Sequence, residues 1–225
     1  MTFWQVFFRL LPKRPSKALG ALYWRATGRK VRAENRLRAA SVTLPLGYDL
    51  WISNIEKAGD VLRSAPETIE SWTRRPRFLM LIHQDQQTSS EQLLRSIYSI
   101  ERQIYPNWFL GDSEGGNDTL ANADYVVLLR SGDSLSKTAL FRFAEAIQAC
   151  PSASILFGDH DELNQQCRRS RPWFKPQWNA ELFNSLDYIS QFVAVERDLA
   201  RTAGLVEDLT DLDSVLLKVT DKASG

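Results

Sequence analysis

Cysteine is nearly absent from these 225 residues: Cys150 and Cys167 stand alone, with no Cys-x-x-Cys spacing and no nearby histidine pair. That excludes a disulfide scaffold, a zinc ribbon and a dithiol redox motif, and leaves two idle thiols suited to a reducing compartment. No apolar run approaches the roughly 18 to 20 residues that cross a bilayer as a helix. There is no Walker loop, no Gly-x-Gly-x-x-Gly and no internal repeat, and the pair Gly115-Gly116 signals only a loop. What is present is the mixture a packed globular chain needs: 44% apolar, 24% charged and 11% aromatic residues. The length suits one large domain, or one domain with an extension.

The net charge of +1 hides an asymmetry. Within residues 1–40, ten bases (Arg9, Lys13, Arg14, Lys17, Arg25, Arg29, Lys30, Arg32, Arg36 and Arg38) face one acid, Glu34, so a basic arm precedes an acidic body. Such an arm points to an anionic surface as its partner. No nucleic-acid-binding motif accompanies the charge, so peripheral membrane contact through residues 1–40 is expected and nucleic acid is not. The start, Met1 to Leu11, leads into Pro12-Lys13-Arg14-Pro15 rather than a small-residue cleavage site, so no signal peptide is expected. Phe3, Trp4, Phe7, Phe8, Leu10 and Leu11 form one helical stripe with two uses open to it, burial in lipid headgroups or packing on the body. Leu19, Leu22, Tyr23 and Ala26 predict a second amphipathic helix that Gly28 ends or interrupts.

Beyond residue 47, Tyr48, Trp51, Ile52 and Ile55 fall at helical spacing, and a polar linker is expected up to Pro76. The texture then changes. Short apolar runs at 77–83, 107–111, 124–129 and 154–157 read as buried strands, with another candidate at 188–195. Between them, 88–104 reads as a helix with Leu93, Leu94, Ile97, Tyr98 and Ile100 inward, capped by Ser89 or Ser90. Residues 136–150 read as a helix with Ala139, Leu140, Phe143, Ala146 and Ile147 on one side. Residues 168–178 read as an aromatic and basic loop, and a last helix carries Asp211, Asp213 and 215–219. Alternating strands and helices predict an α/β fold whose polar site lies at the strand ends. Three parts are expected: a basic helical arm at 1–47, a helix and linker at 48–76, and the main domain at 77–225.

The order of segments resembles the inverting family-two glycosyltransferases of bacterial polysaccharide and O-antigen synthesis. The likeness runs over residues 48–219. It rests on Tyr48-Asp-Leu-Trp51, the strand at 77–83, Gln103-Ile-Tyr-Pro-Asn-Trp108, and Tyr125-Val-Val-Leu-Leu129 with Gly132-Asp-Ser-Leu135. It continues through Phe157-Gly-Asp-His-Asp161, Phe174-Lys-Pro-Gln-Trp178, Asp187-Tyr-Ile189 and Gly204. The resemblance implies a GT-A type α/β domain with a mixed, mainly parallel sheet and flanking helices. It implies a nucleotide-diphosphate sugar as donor and a glycan or lipid-linked acceptor. It also implies Mn²⁺ or Mg²⁺ at an Asp-x-Asp motif after the third strand, where a Lewis acid offsets the charge of the departing diphosphate.

Carried onto this chain, that motif reads Arg130-Ser-Gly-Asp133, with only its final carboxylate left. Two roles are open to Asp133: metal ligand, or cap of the helix near Ser136. Arg130 and Lys175 are donor-binding candidates through phosphate charge, and Asp112 through the nucleoside or, alternatively, as a turn residue. Asp159, His160 and Asp161, with Trp173 and Trp178, are candidates for the acceptor side or pocket wall. One of Asp211 and Asp213 is the candidate general base that takes the acceptor hydroxyl proton. The chain stops at Gly225, where the family continues, so the family's C-terminal end is expected to be missing. The leading expectation is a cytoplasmic enzyme held on the inner face of the plasma membrane. A catalytically impaired homologue serving as a binding or scaffolding subunit is the alternative, supported by the altered metal motif.

Overall fold

The computed structural model describes residues 3–42, 46–56, 58–84, 87–111, 119–164, 168–205 and 219. The chain divides into two compact units, Met1–Asp60 with Asp161–Pro172, and Val61–His160 with Trp173–Gly225.

In the first unit, three helices, α1 (Phe3–Leu10), α2 (Pro15–Ala26) and α3 (Lys30–Val42), enclose a small core of their own. Its centre is Phe3, Phe7 and Leu10 against Ala18, Ala21, Ala33 and Leu37, where the alanines let the helices approach closely. The aromatic stripe of α1 therefore splits. Phe3 and Phe7 are buried within the arm itself, while Trp4 and Phe8 are 45% and 64% exposed. The expected stripe of α2 is also corrected, because the small Ala18 and Ala21 face inward and Leu19 and Tyr23 are exposed.

Gly28, at φ +81°, separates α2 from α3. Its amide donates to the Arg25 carbonyl and the Arg29 amide to that of Trp24, the left-handed stop that glycine adopts without steric cost. Residues Leu46–Trp51 (α4) continue into a π-helical turn at Ile52–Glu56.

The second unit carries a five-stranded sheet of β1 (Phe78–His83), β2 (Trp108–Leu110), β3 (Tyr125–Arg130), β4 (Ile155–Phe157) and β7 (Phe192–Glu196). The order is β2-β1-β3-β7-β4. β1 pairs in parallel with β2 and β3, and β7 runs antiparallel to both β3 and β4, so four strands share one direction. This is the expected α/β class with a mainly parallel sheet, consistent with a GT-A-like fold. Both faces are covered, which is why β1 and β3 read as continuous apolar runs. Phe78, Met80, Tyr125, Val127 and Leu129 pack toward α5 (Ala58–Ser71), α6 (Ser90–Glu101) and α7 (Ala139–Ala149). Leu79, Leu81, Val126 and Leu128 pack toward α8 (Ala180–Ser185) and α9 (Arg197–Ala203).

Several expectations need correction. The polar stretch before Pro76 is a helix, α5, which buries Ala65 and Ile69. Pro66 lies inside it on the exposed side, where the missing amide is tolerated because Ala65 and Ile69 anchor the helix through packing. Residues 168–178 are not wholly loop, since β6 (Arg169–Trp173) pairs with β5 (His160–Leu163). Cys150 is an exposed free thiol, and Cys167 lies outside the described residues. Among the described residues no helix is long and apolar enough to cross a membrane.

Candidate functional site

The sheet brings the carboxyl ends of β1, β3 and β4 to one edge, beside the start of β7. His83 pairs with Arg130 in the β1–β3 register, and Leu129 faces Phe192 across β3–β7. The loop after β3 is held from below by a polar stripe on α6. Ser96 Oγ accepts from the Gly132 amide at 2.9 Å and donates to the Asp133 carbonyl at 2.8 Å. Ser99 Oγ accepts from the Leu135 amide, and Gln103 Nε2 donates to the Ser136 carbonyl at 2.7 Å. Ser96 and Ser99 are buried, whereas Leu94 and Tyr98, read as inward-facing, are exposed. α6 is thus rotated from its hydrophobic reading because its serines satisfy loop backbone that would otherwise lose water without a partner. Its N-terminus is capped by Ser89, whose hydroxyl accepts from the Gln92 amide.

Arg130 ends β3. Its Nη2 donates to Ser190 Oγ at 2.7 Å and lies 3.6 Å from Asp187 Oδ2. Asp187 is itself occupied: Oδ1 accepts from the amides of Ile189 and Ser190, and Oδ2 accepts from the Ser190 hydroxyl. Asp133 is exposed, three residues beyond Arg130, on a loop whose Gly132 sits at φ +96°. Nearby protein mass displaces solvent from its carboxyl and raises its pKa, with Arg130 pulling the other way. Asp133 does not cap α7, whose N-cap position is Thr138.

Asp159 follows β4 and accepts from the Lys175 amide at 2.7 Å. The Lys175 ammonium is enclosed and makes no hydrogen bond among the described residues. Burial lowers its pKa to about 8, against the opposing pull of Asp159 and Asp187. Arg130, Lys175, Asp159 and Asp187 therefore form one electrostatic group, with Asp187 acting on both cations. His160 packs edge-on against Trp173 at 5.2 Å between ring centres. Trp178 lies by Phe183 and Tyr188, 39% exposed, with one side on the core.

Asp161 is not in this group. It belongs to the first unit, where it accepts from the Tyr48 hydroxyl and from Arg169 Nε, while Arg169 Nη1 reaches Glu56 at 2.8 Å. Burial, and then Asp161, push the Tyr48 phenol above its ordinary pKa. Asp112, Asp211 and Asp213 lie outside the described residues.

The fit of a divalent cation is poor among the described residues. Mg²⁺ or Mn²⁺ asks for several oxygens converging on one point, and no group of three His, Cys, Asp or Glu residues is placed to do so. Asp187 spends its oxygens on Arg130, Ser190 and backbone amides and Asp159 spends one on the Lys175 amide, which leaves Asp133 and the second Asp159 oxygen as candidate ligands among the described residues. Sequence reading missed Asp187 and Ser190 as parts of the site, along with Ser96, Ser99 and Gln103. The signal for Ser96 and Ser99 was their i, i+3 spacing, which puts both on one face of α6, while Gln103 follows just after the helix ends.

No family model matches the chain. It is similar to the O-antigen biosynthesis protein RfbC of Myxococcus xanthus, 28% identical over 218 residues, covering 79% of this chain and 17% of that protein. It is also similar to an uncharacterized protein, y4gI, of Sinorhizobium fredii, 33% identical over 85 residues, covering 38% of this chain and 9% of that protein. The chain thus spans less than a fifth of the length of the curated relatives it matches.

Proposed function

We propose that the chain is a glycosyltransferase-like domain of polysaccharide synthesis that takes a nucleotide-diphosphate sugar as donor. The observation that carries the reading is the gathering of Arg130, Asp133, Asp159 and Lys175 at the carboxyl ends of a mainly parallel sheet, where such folds bind nucleotides. The likeness to an O-antigen biosynthesis protein supports the same reading. In the proposed reaction the acceptor hydroxyl oxygen bonds to the anomeric carbon as the bond from that carbon to the diphosphate oxygen breaks. The diphosphate leaves with the electron pair, and Asp211 or Asp213 takes the hydroxyl proton.

Arg130 and Lys175 donate hydrogen bonds to the diphosphate, and Trp173 and Trp178 offer flat surfaces for a sugar ring. No step is routed through a divalent cation. The acceptor is a glycan or a lipid-linked glycan. The basic arm, with Trp4, Phe8, Leu19 and Tyr23 exposed, holds the protein to the inner face of the plasma membrane, on its cytoplasmic side.

The test is a panel of UDP-, GDP- and dTDP-sugars titrated calorimetrically into the purified chain with Mn²⁺ present, followed by a transfer assay with lipid-linked glycan. Saturable binding of one donor is the expected result. Absence of binding across the panel favours the second reading, a catalytically impaired scaffold, for which Arg130 in place of the first motif acid is the specific observation.

A further inference from the structure

We infer that the strand-end group is a metal-independent anion site, in which Lys175 and Arg130 supply the positive charge that holds the diphosphate of a nucleoside diphosphate. The inference rests on the donor reading above and departs from the metal-bridged arrangement that the sequence resemblance implies.

Three observations carry it. The Lys175 ammonium is enclosed by protein and makes no hydrogen bond among the described residues. An ammonium has three donors, and enclosing it without an acceptor is costly, so a ligand that brings anionic oxygens relieves a standing penalty. Arg130 is preset, because Ser190 at 2.7 Å and Asp187 at 3.6 Å fix its guanidinium at the end of β3. A guanidinium carries five donors in a planar fork that matches phosphate oxygens.

The acids of the group serve the cations rather than a metal. Asp187 is taken up by Arg130, by the Ser190 hydroxyl and by two amides, and Asp159 accepts from the Lys175 amide. What remains among the described residues is Asp133 and one oxygen of Asp159, with no group of three ligands. A divalent ion there would draw most of its roughly six oxygens from water and phosphate, while the two cations are already in place. The depressed pKa of Lys175, about 8, agrees with this geometry. Its largest cause is burial, with Asp159 and Asp187 pulling the other way.

The test is calorimetric titration of the full chain at pH 7 with UDP, GDP, dTDP and ADP, and with inorganic pyrophosphate. Each titration is run in EDTA and in Mn²⁺, on wild type, Lys175→Met, Lys175→Arg and Arg130→Met, with far-ultraviolet circular dichroism checking each fold. Binding unchanged by EDTA is expected. It should weaken about tenfold or more in Lys175→Met, as loss of a charge-assisted hydrogen bond requires, and recover in part in Lys175→Arg. Binding near pH 8 should take up protons, read from its dependence on buffer ionisation heat. Should Lys175→Met fail to fold, Arg130→Met carries the same expectation.

Binding that appears only with Mn²⁺ overturns this inference and leaves the donor reading standing. EDTA-insensitive binding that ignores both Lys175→Met and Arg130→Met also overturns it, by moving the diphosphate elsewhere. No binding of any nucleoside diphosphate, with or without Mn²⁺, overturns the inference and the donor reading together.

Discussion

Arg130 Nη2 donates to Ser190 Oγ at 2.7 Å, joining the last residue of β3 to the turn that enters β7. Two antiparallel neighbours of the sheet are thereby tied at the edge where the charged group gathers. Asp187 organises the tie, because it bonds Ser190 through both amide and hydroxyl and sits beside the Arg130 guanidinium.

Asp187→Ala should therefore cost more than a surface ion pair does. Arg130 is 41% exposed and Asp187 27%, so the charge pair alone is worth under about 1 kcal/mol. The substitution also strips acceptors from the Ile189 and Ser190 amides, and Ser190 is buried, which brings the expected loss to about 1–3 kcal/mol. Asp187→Asn keeps a carbonyl acceptor and should lose less. Urea unfolding measures both, and equal midpoints for Asp187→Ala and wild type would contradict the assigned role.

The Lys175 ammonium gives a pH dependence of defined sign. Its pKa is about 8 in the folded chain against 10.5 when solvated, so between those values the unfolded chain binds more protons. Stability without ligand should rise with pH through that window, over and above the behaviour of other groups. Lys175→Met removes an enclosed charge and should abolish this rise. The check is the difference between wild-type and variant unfolding free energies at pH 7, 8, 9 and 10. A difference constant across the series would rule out the enclosed ammonium.

Gly111 ends β2 with its amide on the Met80 carbonyl, and its α-carbon is pressed on the neighbouring strand. A Cβ there would meet Leu79 Cδ1 at 2.6 Å and Leu81 Cδ2 at 2.8 Å. Both leucines are buried and cannot swing into solvent. Gly111→Ala should destabilise by about 1–3 kcal/mol through overpacking, seen as a lower thermal midpoint. Leu79→Ala in the same chain should make Gly111→Ala less costly, which a double-mutant cycle reads directly.

For the arm, flotation with vesicles carrying anionic lipid should recover the chain, and neutral vesicles should recover less. The aromatic pair Trp4 and Phe8 is exposed and stacked at 5.8 Å, so replacing both with alanine should weaken recovery without unfolding the arm. High salt should weaken it too, because surface charges are screened. Retention that is indifferent to salt and to both substitutions would remove the membrane assignment.

Which contacts were legible in the sequence follows from their range. Strand runs such as 77–83 and 124–129 show their nature locally, since a strand buried on both faces must be apolar at every position. Ser89 as a cap and Gly28 as a stop are decided by neighbours three or four residues away, and both occur as read. α5 was hidden because Pro66 and its polar neighbours outweigh Ala65 and Ile69 until something packs on those two residues. The face of α6 misled for a related reason. Leu94 and Tyr98 are apolar, yet the serines are the buried residues because loop amides and carbonyls 33 to 37 positions away need partners.

The run from Asp159 to Asp161 divides in the same manner. As sequence it is one acid-rich strand end, but Asp159 accepts from Lys175, 16 positions on, while Asp161 meets Tyr48, 113 positions back. By itself the sequence determined the apolar strands of the main sheet, the basic arm and the residue types at the strand ends, because periodicity and charge are properties of neighbouring positions. Only the tertiary structure decided which charges share a site, because Arg130, Lys175 and Asp187 are brought together by chain crossings that no local pattern encodes.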